Sequence, residues 1–312
     1  ATRPDRATDA TGDGHRPRHR RIPRGDAPPR EGRVVSAAPP APAPTGAEAR
    51  AVAETAAAMA EAARAETLPR FRAASLAVES KGAAGFDPVT EADRAAEAAM
   101  RAVLAERRPE DGILGEEMAA TPGRSGRVWV IDPIDGTRAF LVGAPTWGTL
   151  IALCDGPPER GGRPLYGLID QPHTGERWTG GLGEAALVSP AGTAPLATSA
   201  VRRLADARLC TTFPELGSEA ERAAFGRVAA AARLTRYGLD CYAYGLLAAG
   251  HVELVIEAGL APYDICAPLA VIEAGGGIVT DWQGGPAQGG GRILAAANAE
   301  LHAAARALLA GA

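Results

Sequence analysis

The segment Trp129–Thr137, which reads WVIDPIDGT, most constrains how this chain of 312 residues can fold. Its apolar part, Trp129–Ile131, is typical of a buried strand. Pro133 lacks the backbone N–H that a strand needs to continue its pairing, so we expect the strand to stop there. Asp132 and Asp135 are then presented together at the end of the strand.

Carboxylates beside a glycine turn can serve a metal ion and a phosphate together. Mg²⁺ prefers oxygen ligands and usually keeps waters and a substrate phosphate, so a few carboxylates are enough to hold it. Gly136 can bring bare backbone N–H groups close to an anion, and a helix that begins near Thr137 would favour the same anion. The alternative is an ordinary turn in which an aspartate caps the following helix. Other acids along the chain decide between the two interpretations.

Three further motifs carry acids. GILGEE ends in Glu116 and Glu117, and one of them is expected to face a shared site because neighbours on a strand point in opposite directions. DPVTEAD places Thr90 and Asp93 before an alanine-rich helix, where a capping box with Thr90 as N-cap is the alternative interpretation. PYDICAP adds Asp264 at the start of a small-residue helix, and an N-cap is again the alternative.

Taken together, DPVTEAD, GEE, DPIDGT and PYD resemble, in this order and spacing, the motifs of the magnesium-dependent inositol monophosphatase superfamily. The resemblance runs from about Ala47 to the C-terminus. It implies a layered α/β fold, the five-layer α/β/α/β/α sandwich of the inositol monophosphatase and fructose bisphosphatase type. It also implies an active site where the two halves of the chain meet, two or three Mg²⁺ ions in each active site, and usually a homodimer.

The same resemblance assigns roles to individual residues. The implied metal ligands are Glu116, Asp132, the backbone carbonyl of Ile134, Asp135, Asp264 for a second metal and Asp93 for a third, weaker one. The implied catalytic residues are Glu116, Thr137, Asp93 and Thr90. Gly136 and Thr137 would bind phosphate through backbone donors, and the Thr137 hydroxyl would orient the attacking water with a neighbouring carboxylate. Lys81 stands where the family often has a lysine near the site. No motif has lost its acid or hydroxyl, so we expect an active enzyme.

The implied reaction is the hydrolysis of a phosphate monoester. Such a reaction requires the protein mainly to position the groups and to neutralise developing negative charge. Several carboxylates around one cleft repel each other without cations. We therefore expect the site to need its metals for stability as well as for activity.

After DPIDGT come the segments Arg138–Leu153, Asp170–Gly180 and Tyr237–Gly250. They resemble the histidinol-phosphate phosphatase branch more than the inositol branch, which implies hydrolysis of L-histidinol phosphate to L-histidinol and phosphate in histidine biosynthesis. Asp240 stands where inositol phosphatases of this family tend to have a small residue, and its carboxylate could pair with the ammonium of the substrate. Glu257 would be the second acidic contact. A helix N-cap ahead of Cys241–Leu247 is the alternative for Asp240, and the two roles are compatible. An inositol monophosphatase, or a broad-specificity sugar or nucleotide phosphatase, is the alternative within the class.

The composition agrees with a soluble enzyme. Hydrophobic residues make up 46% of the chain and can supply a full core. The four cysteines show no CxxC spacing, so free thiols in a reducing compartment are favoured over a zinc site or a disulfide framework. No apolar run is long enough for a membrane helix. We expect a cytoplasmic protein whose partner is a small phosphate ester, with no membrane and no nucleic acid.

Residues 1–45 are rich in arginine and proline, and we expect them to form a disordered tail. Aspartates dilute the positive charge and no aromatic residue is present to stack on bases, so a solvated tail is favoured. Binding of a nucleic acid or an anionic surface through this tail is the alternative function from a different class. Beyond the tail we expect two halves: an α+β half over 46–185 with most metal ligands, and an α/β half over 186–312 with the substrate and second-metal residues.

Sequence periodicity predicts helices and strands in the order of a layered α/β protein. We expect helices at 47–78 with a mild break at Pro69, from about Arg94 to Arg107, and at 219–232, 241–249, 265–274 and through Leu309. We expect strands at 112–115, 128–131, 149–154, 165–170, 207–212, 234–237, 254–256, 278–281 and 293–296.

Overall fold

The computed structural model describes residues 42–73, 78–80 and 88–311, with the backbone alone for 78–80 and 88–90. The predicted tail therefore lies almost entirely outside the described residues, as do Lys81 and the side chain of Thr90. The helices of the described part are α1 (Ala47–Thr67), α2 (Glu91–Arg107), α3 (Thr137–Val142), α4 (Glu219–Ala231), α5 (Tyr242–Ala248), α6 (Pro262–Ala274) and α7 (Ala299–Leu309).

The strands of the described part form two large sheets and one small one. The small sheet pairs β1 (Val78–Ser80) with β2 (Pro88–Thr90). The first large sheet has the order β3-β4-β5-β6-β7-β8-β9, with β3 (Gly112–Gly115), β4 (Val128–Asp135), β5 (Gly148–Cys154), β6 (Pro164–Gln171), β7 (Glu176–Gly181), β8 (Glu184–Ser189) and β9 (Gly192–Pro195). The second has the order β11-β10-β12-β14-β13, with β10 (Arg208–Thr211), β11 (Leu234–Tyr237), β12 (Leu254–Leu260), β13 (Ile278–Asp281) and β14 (Gly291–Ala296).

The two faces of the first sheet are covered by different helices, because successive strand residues point to opposite sides. On one face, Trp129 and Ile131 pack against the buried stripe of α1 and α2 that contains Met59 and Met100. On the other face, Val130 belongs to the core that contains α5 and α6. The buried residues of α1, such as Val52, Ala56, Met59 and Ala63, follow one another at intervals of three or four. This spacing places them on one face, so the alanine-rich segment folds as an amphipathic helix.

The second sheet is sandwiched in the same way. Val255 faces α5 and α6, whereas its neighbours Leu254 and Ile256 face α4 and α7 through Phe225 and Leu301. The layers therefore alternate as helices, sheet, helices, sheet and helices. The predicted five-layer α/β/α/β/α sandwich is confirmed. The division of the chain into 46–185 and 186–312 stays a prediction.

Helix α6 lies directly on the first sheet because small residues let the two backbones approach. A Cβ atom on Gly167 of β6 would be 2.3 Å from the carbonyl oxygen of Ala267, and one on Gly180 of β7 would be 2.5 Å from the Cα of Val271. Neither distance is compatible with a side chain. These glycines set the height of α6 above the sheet.

Two predicted boundaries are wrong. The first helix ends at Thr67 and not at Val78, because Pro69 has no N–H for the next helical bond and a turn through Phe71 follows. The strand at Val128 does not stop before the acids: β4 continues to Asp135 and carries Pro133 inside a bulge, where the register against β5 shifts. A bulge leaves residues unpaired, so it tolerates the missing N–H of proline.

The other predicted elements recur with small shifts of their ends, and β3, β11 and β13 have the predicted bounds. Strands β1, β2, β7, β8 and β9 are absent from the prediction. Across residues 42–73, 78–80 and 88–311, no helix combines the length and the apolarity needed to cross a bilayer.

The packing of α6 on β6 predicts the effect of a single methyl group. Gly167→Ala should lower the free energy of unfolding by about 1–3 kcal/mol, because the new Cβ overlaps a backbone oxygen that has no room to move. Chemical denaturation would measure this change. Gly226→Ala is the matched control: this α4 glycine has nothing within 4 Å of its Cβ position, and alanine there should raise stability by about 0.5–1 kcal/mol. Equal effects of the two substitutions would contradict the close approach.

Candidate active site

The bulge in β4 places two carboxylates at the end of the strand. Asp132 is almost fully buried, and its Oδ1 accepts the backbone N–H of Ile134 at 3.0 Å, which closes the turn around Pro133. Three residues later the chain pairs with β5 again at Asp135. Both aspartates therefore lie at the same end of β4, and β4 pairs with β5 on both sides of the bulge.

A third acid comes from the layer between the sheets. Asp264 lies in the first turn of α6, and one carboxylate oxygen from each of Asp132, Asp135 and Asp264 falls within 4.8 Å of the others. Asp264 Oδ2 also accepts the N–H of Ala261 at 2.7 Å, so the helix-capping interpretation holds in part, with Ala261 and not Asp264 as the N-cap residue. Asp135 Oδ2 accepts the N–H of Cys241 at 2.7 Å.

The pKa values of the three clustered aspartates are raised by burial and by neighbouring negative charges. Burial, followed by the charges of Glu116 and Asp135, raises the pKa of Asp132 well above its ordinary value. Burial and the charge of Asp264 do the same for the pKa of Asp135. Burial raises the pKa of Asp264 to about 7, against the hydrogen bond from Ala261. Each acid makes its neighbours harder to ionise.

Glu116 follows β3 and approaches the cluster from the adjacent strand. It is half-buried, and its charge raises the pKa of both Asp132 and Asp264. The sequence did not identify the residue that orients this segment, Glu97 of α2. Its fully buried carboxylate accepts the N–H of Glu117 at 2.7 Å and is held by Arg101 at 2.8 Å. The only signal in the sequence was an acid one helical turn after Asp93.

The glycine turn and the helix start that the sequence indicated after Asp135 are present, and the binding of phosphate at this phosphate turn stays a prediction. Gly136 adopts a left-handed conformation with φ 83°, and α3 begins at Thr137. The Thr137 hydroxyl donates to the carbonyl oxygen of Ile134 at 3.3 Å. A Cβ on Gly136 would be 2.9 Å from Asp240, so any other residue here is excluded by the backbone conformation and by contact.

Asp240 and Glu257 line the same cleft as Asp135, Gly136 and Asp264, with a volume of about 280 Å³. Asp240 has φ 46° and accepts the Thr146 hydroxyl at 3.1 Å. The N-cap of α5 is Cys241, without a side-chain cap hydrogen bond, so the capping alternative for Asp240 is wrong. Burial raises the pKa of Asp240, while Thr146 and the charge of Arg138 act in the opposite direction.

Glu257 is buried on β12 and faces the end of β10. Its two carboxylate oxygens accept three hydrogen bonds, from the N–H and hydroxyl of Thr212 and from the hydroxyl of Thr211. Burial still outweighs these bonds and raises its pKa to about 7.

Asp93 and Thr90 lie in neighbouring elements, α2 and β2. Asp93 is fully buried in the first turn of α2, whose Ala92 packs against Ile134. Asp93 is not among the three acids within 4.8 Å of one another. Thr90 is the last residue of β2, and its side chain lies outside the described part. The third-metal role of Asp93 and the catalytic role of Thr90 stay predictions.

The clustered side chains fit a hard divalent cation. Every donor that they offer is a carboxylate oxygen, the type of ligand that Mg²⁺ prefers over soft thiolates and imidazoles. Among the described residues that line the cleft, Arg138 is the only basic one. The charges of the described lining residues are therefore mostly negative, and a bound cation would relieve their repulsion.

Comparisons with known proteins agree with this geometry. A sequence model described as the inositol monophosphatase family matches residues 48–310. The bifunctional phosphatase IMPL2, chloroplastic, of Arabidopsis thaliana is 44% identical over 64% of this chain and 56% of its own length, so the chain spans little more than half of that relative. The histidinol-phosphatase of Streptomyces coelicolor is 37% identical over 78% of this chain and 91% of its own length. The structure of an inositol monophosphatase from Zymomonas mobilis, 38% identical, has a TM-score of 0.72 and covers 85% of this chain and 99% of the Zymomonas chain.

Burial of Asp264, together with the charge of Glu116, predicts how the metal-free protein responds to pH. The folded-state pKa of Asp264, about 7, exceeds the ordinary value of 3.8, so the folded state keeps a proton that the unfolded state has released. Stability should therefore fall as the pH rises through about 7. Asp264→Asn keeps an acceptor for Ala261 and should raise the unfolding temperature in EDTA at pH 8 by about 4 °C. Scanning fluorimetry from pH 5 to pH 8 would measure this.

The exposed Asp206 provides the control for this experiment, since Asp206→Asn removes the same charge outside the cluster. It should leave both the unfolding temperature and its pH dependence unchanged. A lower unfolding temperature for Asp264→Asn at pH 8 would contradict the repulsion.

Proposed function

The chain belongs to the inositol monophosphatase family, and from this premise we propose that it is a magnesium-dependent phosphatase that hydrolyses L-histidinol phosphate to L-histidinol and phosphate. The observation that carries the choice of substrate is the position of Asp240, whose carboxylate carbon lies 2.9 Å from the Cβ position of Gly136 in the phosphate turn. The 37% identity to the histidinol-phosphatase of Streptomyces coelicolor supports it.

The chemistry of the ester explains why that position favours an amino-bearing substrate. L-Histidinol phosphate carries its ammonium on the carbon next to the ester methylene, close to the phosphate. A carboxylate beside the phosphate turn can therefore pair with the cation while the phosphate stays at the metals. Asp240 also keeps a hydrogen bond to Thr146, which fixes the carboxylate in the cleft. An inositol phosphate has no cation and would gain nothing from this charge.

An inositol monophosphatase activity is the second candidate. The 38% identity to the inositol monophosphatase of Zymomonas mobilis favours it. The residues at the metal end of the cleft would serve either ester in the same way, because both substrates present the same phosphate there. The choice between them depends on the groups around Asp240.

The residues of the chain prepare the site for attack on phosphorus. Divalent cations bound by Asp132, Asp135, Asp264, Glu116 and the carbonyl of Ile134 would neutralise the phosphate and make water acidic enough to react near neutral pH. Asp135 is held in place by the N–H of Cys241. Gly136 opens the backbone toward the phosphate, since it has no side chain between the turn and the cleft.

The attacking water is oriented, in this proposal, by Thr137 and Glu116. The Thr137 hydroxyl donates to the Ile134 carbonyl, so its oxygen lone pairs can accept a hydrogen bond from the water. Glu116 can take the proton that the water releases. Asp93 and Thr90 would support this network from α2 and β2, and Glu257 would lie at the substrate end.

We further propose that the protein is a homodimer in the cytoplasm and that its reaction supplies L-histidinol to histidine biosynthesis. These proposals follow from the family resemblance and from the proposed substrate. The division of the chain into halves over 46–185 and 186–312 is proposed with them.

Removal of one cluster charge tests the metal assignment. Asp135→Asn keeps an acceptor for the Cys241 N–H and should fold, yet it should lower kcat/KM by at least about 1000-fold at every Mg²⁺ concentration. Phosphate release would be followed with Mg²⁺ varied over a wide range, with the unfolding temperature as the check on folding. Activity restored by high Mg²⁺ would mean that Asp135 tunes affinity only, and undiminished activity would refute the assignment.

Substitution of Asp240 separates the two candidate substrates. Asp240→Asn removes the charge but suits the left-handed backbone and keeps an acceptor for Thr146. It should lower kcat/KM for L-histidinol phosphate about 100-fold and leave the value for inositol 1-phosphate within about twofold. A panel of phosphate monoesters, assayed with and without Mg²⁺, would show both. Equal losses on the two esters would contradict the pairing with ammonium, and a wild type that prefers inositol phosphate would support the second candidate.

A further inference from the structure

The mouth of the cleft carries an aromatic ring that the proposed mechanism does not use. Phe213 follows β10 and lines the same cleft as Asp135 and Asp240. Its side chain is 42% exposed, which is uncommon for a large hydrophobic residue among the described ones. The exposed part of this ring keeps apolar surface in water, and a ligand that covered it would remove that surface from water, which is favourable.

The backbone before this ring is fixed by Glu257. The carboxylate accepts the Thr212 N–H at 2.6 Å and the Thr212 hydroxyl at 2.9 Å on one oxygen, and the Thr211 hydroxyl at 3.1 Å on the other. Both oxygens are therefore engaged with the segment that ends at Phe213. Glu257 acts here as a positioning residue for the ring.

The ring is also held from the opposite side of the cleft. The guanidinium of Arg138, in the first turn of α3, lies 4.9 Å from the centroid of Phe213. A cation over an aromatic face is attracted by the electrons of the ring. Phe213 follows β10 of the second sheet and Arg138 follows β4 of the first, so this contact spans the cleft and keeps the ring at its mouth.

We infer that Phe213 is the specificity-determining surface for a planar ring in the leaving group of the ester. This inference rests on the proposed function, in which the phosphate lies at Gly136 and Thr137 and the ammonium at Asp240. The imidazole of L-histidinol phosphate lies beyond the ammonium, on the side away from the phosphate. Aromatic rings attract each other by face and edge contacts, which a polyol cannot make.

The test combines two substrates with one substitution. O-Phosphoethanolamine has the same phosphate and an ammonium on the neighbouring carbon, but no ring. In the wild type, kcat/KM should be higher for L-histidinol phosphate. Phe213→Leu keeps an apolar side chain without a ring and should reduce this preference about tenfold, through KM for L-histidinol phosphate, with O-phosphoethanolamine unchanged. Phe213→Tyr keeps the ring and should keep the preference.

Tyr237→Leu is the matched control. This residue of β11 is 43% exposed and is not among the residues that line the cleft, so the substitution should leave both substrates unchanged. Unfolding temperatures would check that each variant is folded.

The outcomes separate this inference from the proposed function. A wild type that does not hydrolyse L-histidinol phosphate overturns the proposed function and the ring surface with it, whereas equal kcat/KM for the two esters in the wild type overturns the ring surface alone. A preference that survives in Phe213→Leu overturns the ring surface alone. Equal losses on both substrates would show that Phe213 only supports the cleft, which also overturns the inference.

Discussion

Repulsion among buried carboxylates is the constraint on which the site depends. Asp132, Asp135 and Asp264 bring oxygens within 4.8 Å of one another, where each charge opposes the ionisation of the next. The fold holds them with one backbone hydrogen bond each, and the donors are the N–H groups of Ile134, Cys241 and Ala261. These donors lie in the β4 bulge and before α5 and α6. Since the donors are backbone groups, the path of the backbone fixes the positions of the acids.

The positions of the clustered acids also depend on the layer of helices between the two sheets. Helix α6 carries Asp264 at its start and packs on Gly167 and Gly180 of the first sheet. The same layer packs on Val255 of the second sheet. The distance between the β4 bulge and the start of α6 therefore depends on side-chain volumes far from the cleft. A core substitution that lifts α6 would separate the acids without touching them.

Local patterns predict the regular strands and the acids that lie at their ends. The bounds of β3, β11 and β13 follow from apolar runs between turn residues. The rule that proline stops a strand fails at Pro133, because it assumes a regular ladder and the bulge depends on the register against β5. Strand β9 was missed since all four of its residues are exposed and give no alternation. Glu97 was missed because its burial depends on the loop after β3, which is distant in sequence.

Asp240 is linked to the carboxylate cluster through one peptide bond. Cys241 donates its N–H to Asp135, while the preceding residue, Asp240, turns its carboxylate to Thr146. This arrangement requires the left-handed backbone at Asp240, with φ 46°, which aspartate, asparagine and glycine tolerate better than other residues. Position 240 can therefore accept only glycine or a short polar side chain if the hydrogen bond to Asp135 is to survive. The backbone conformation that orders Asp135 also restricts which side chain can face the cleft beside Gly136.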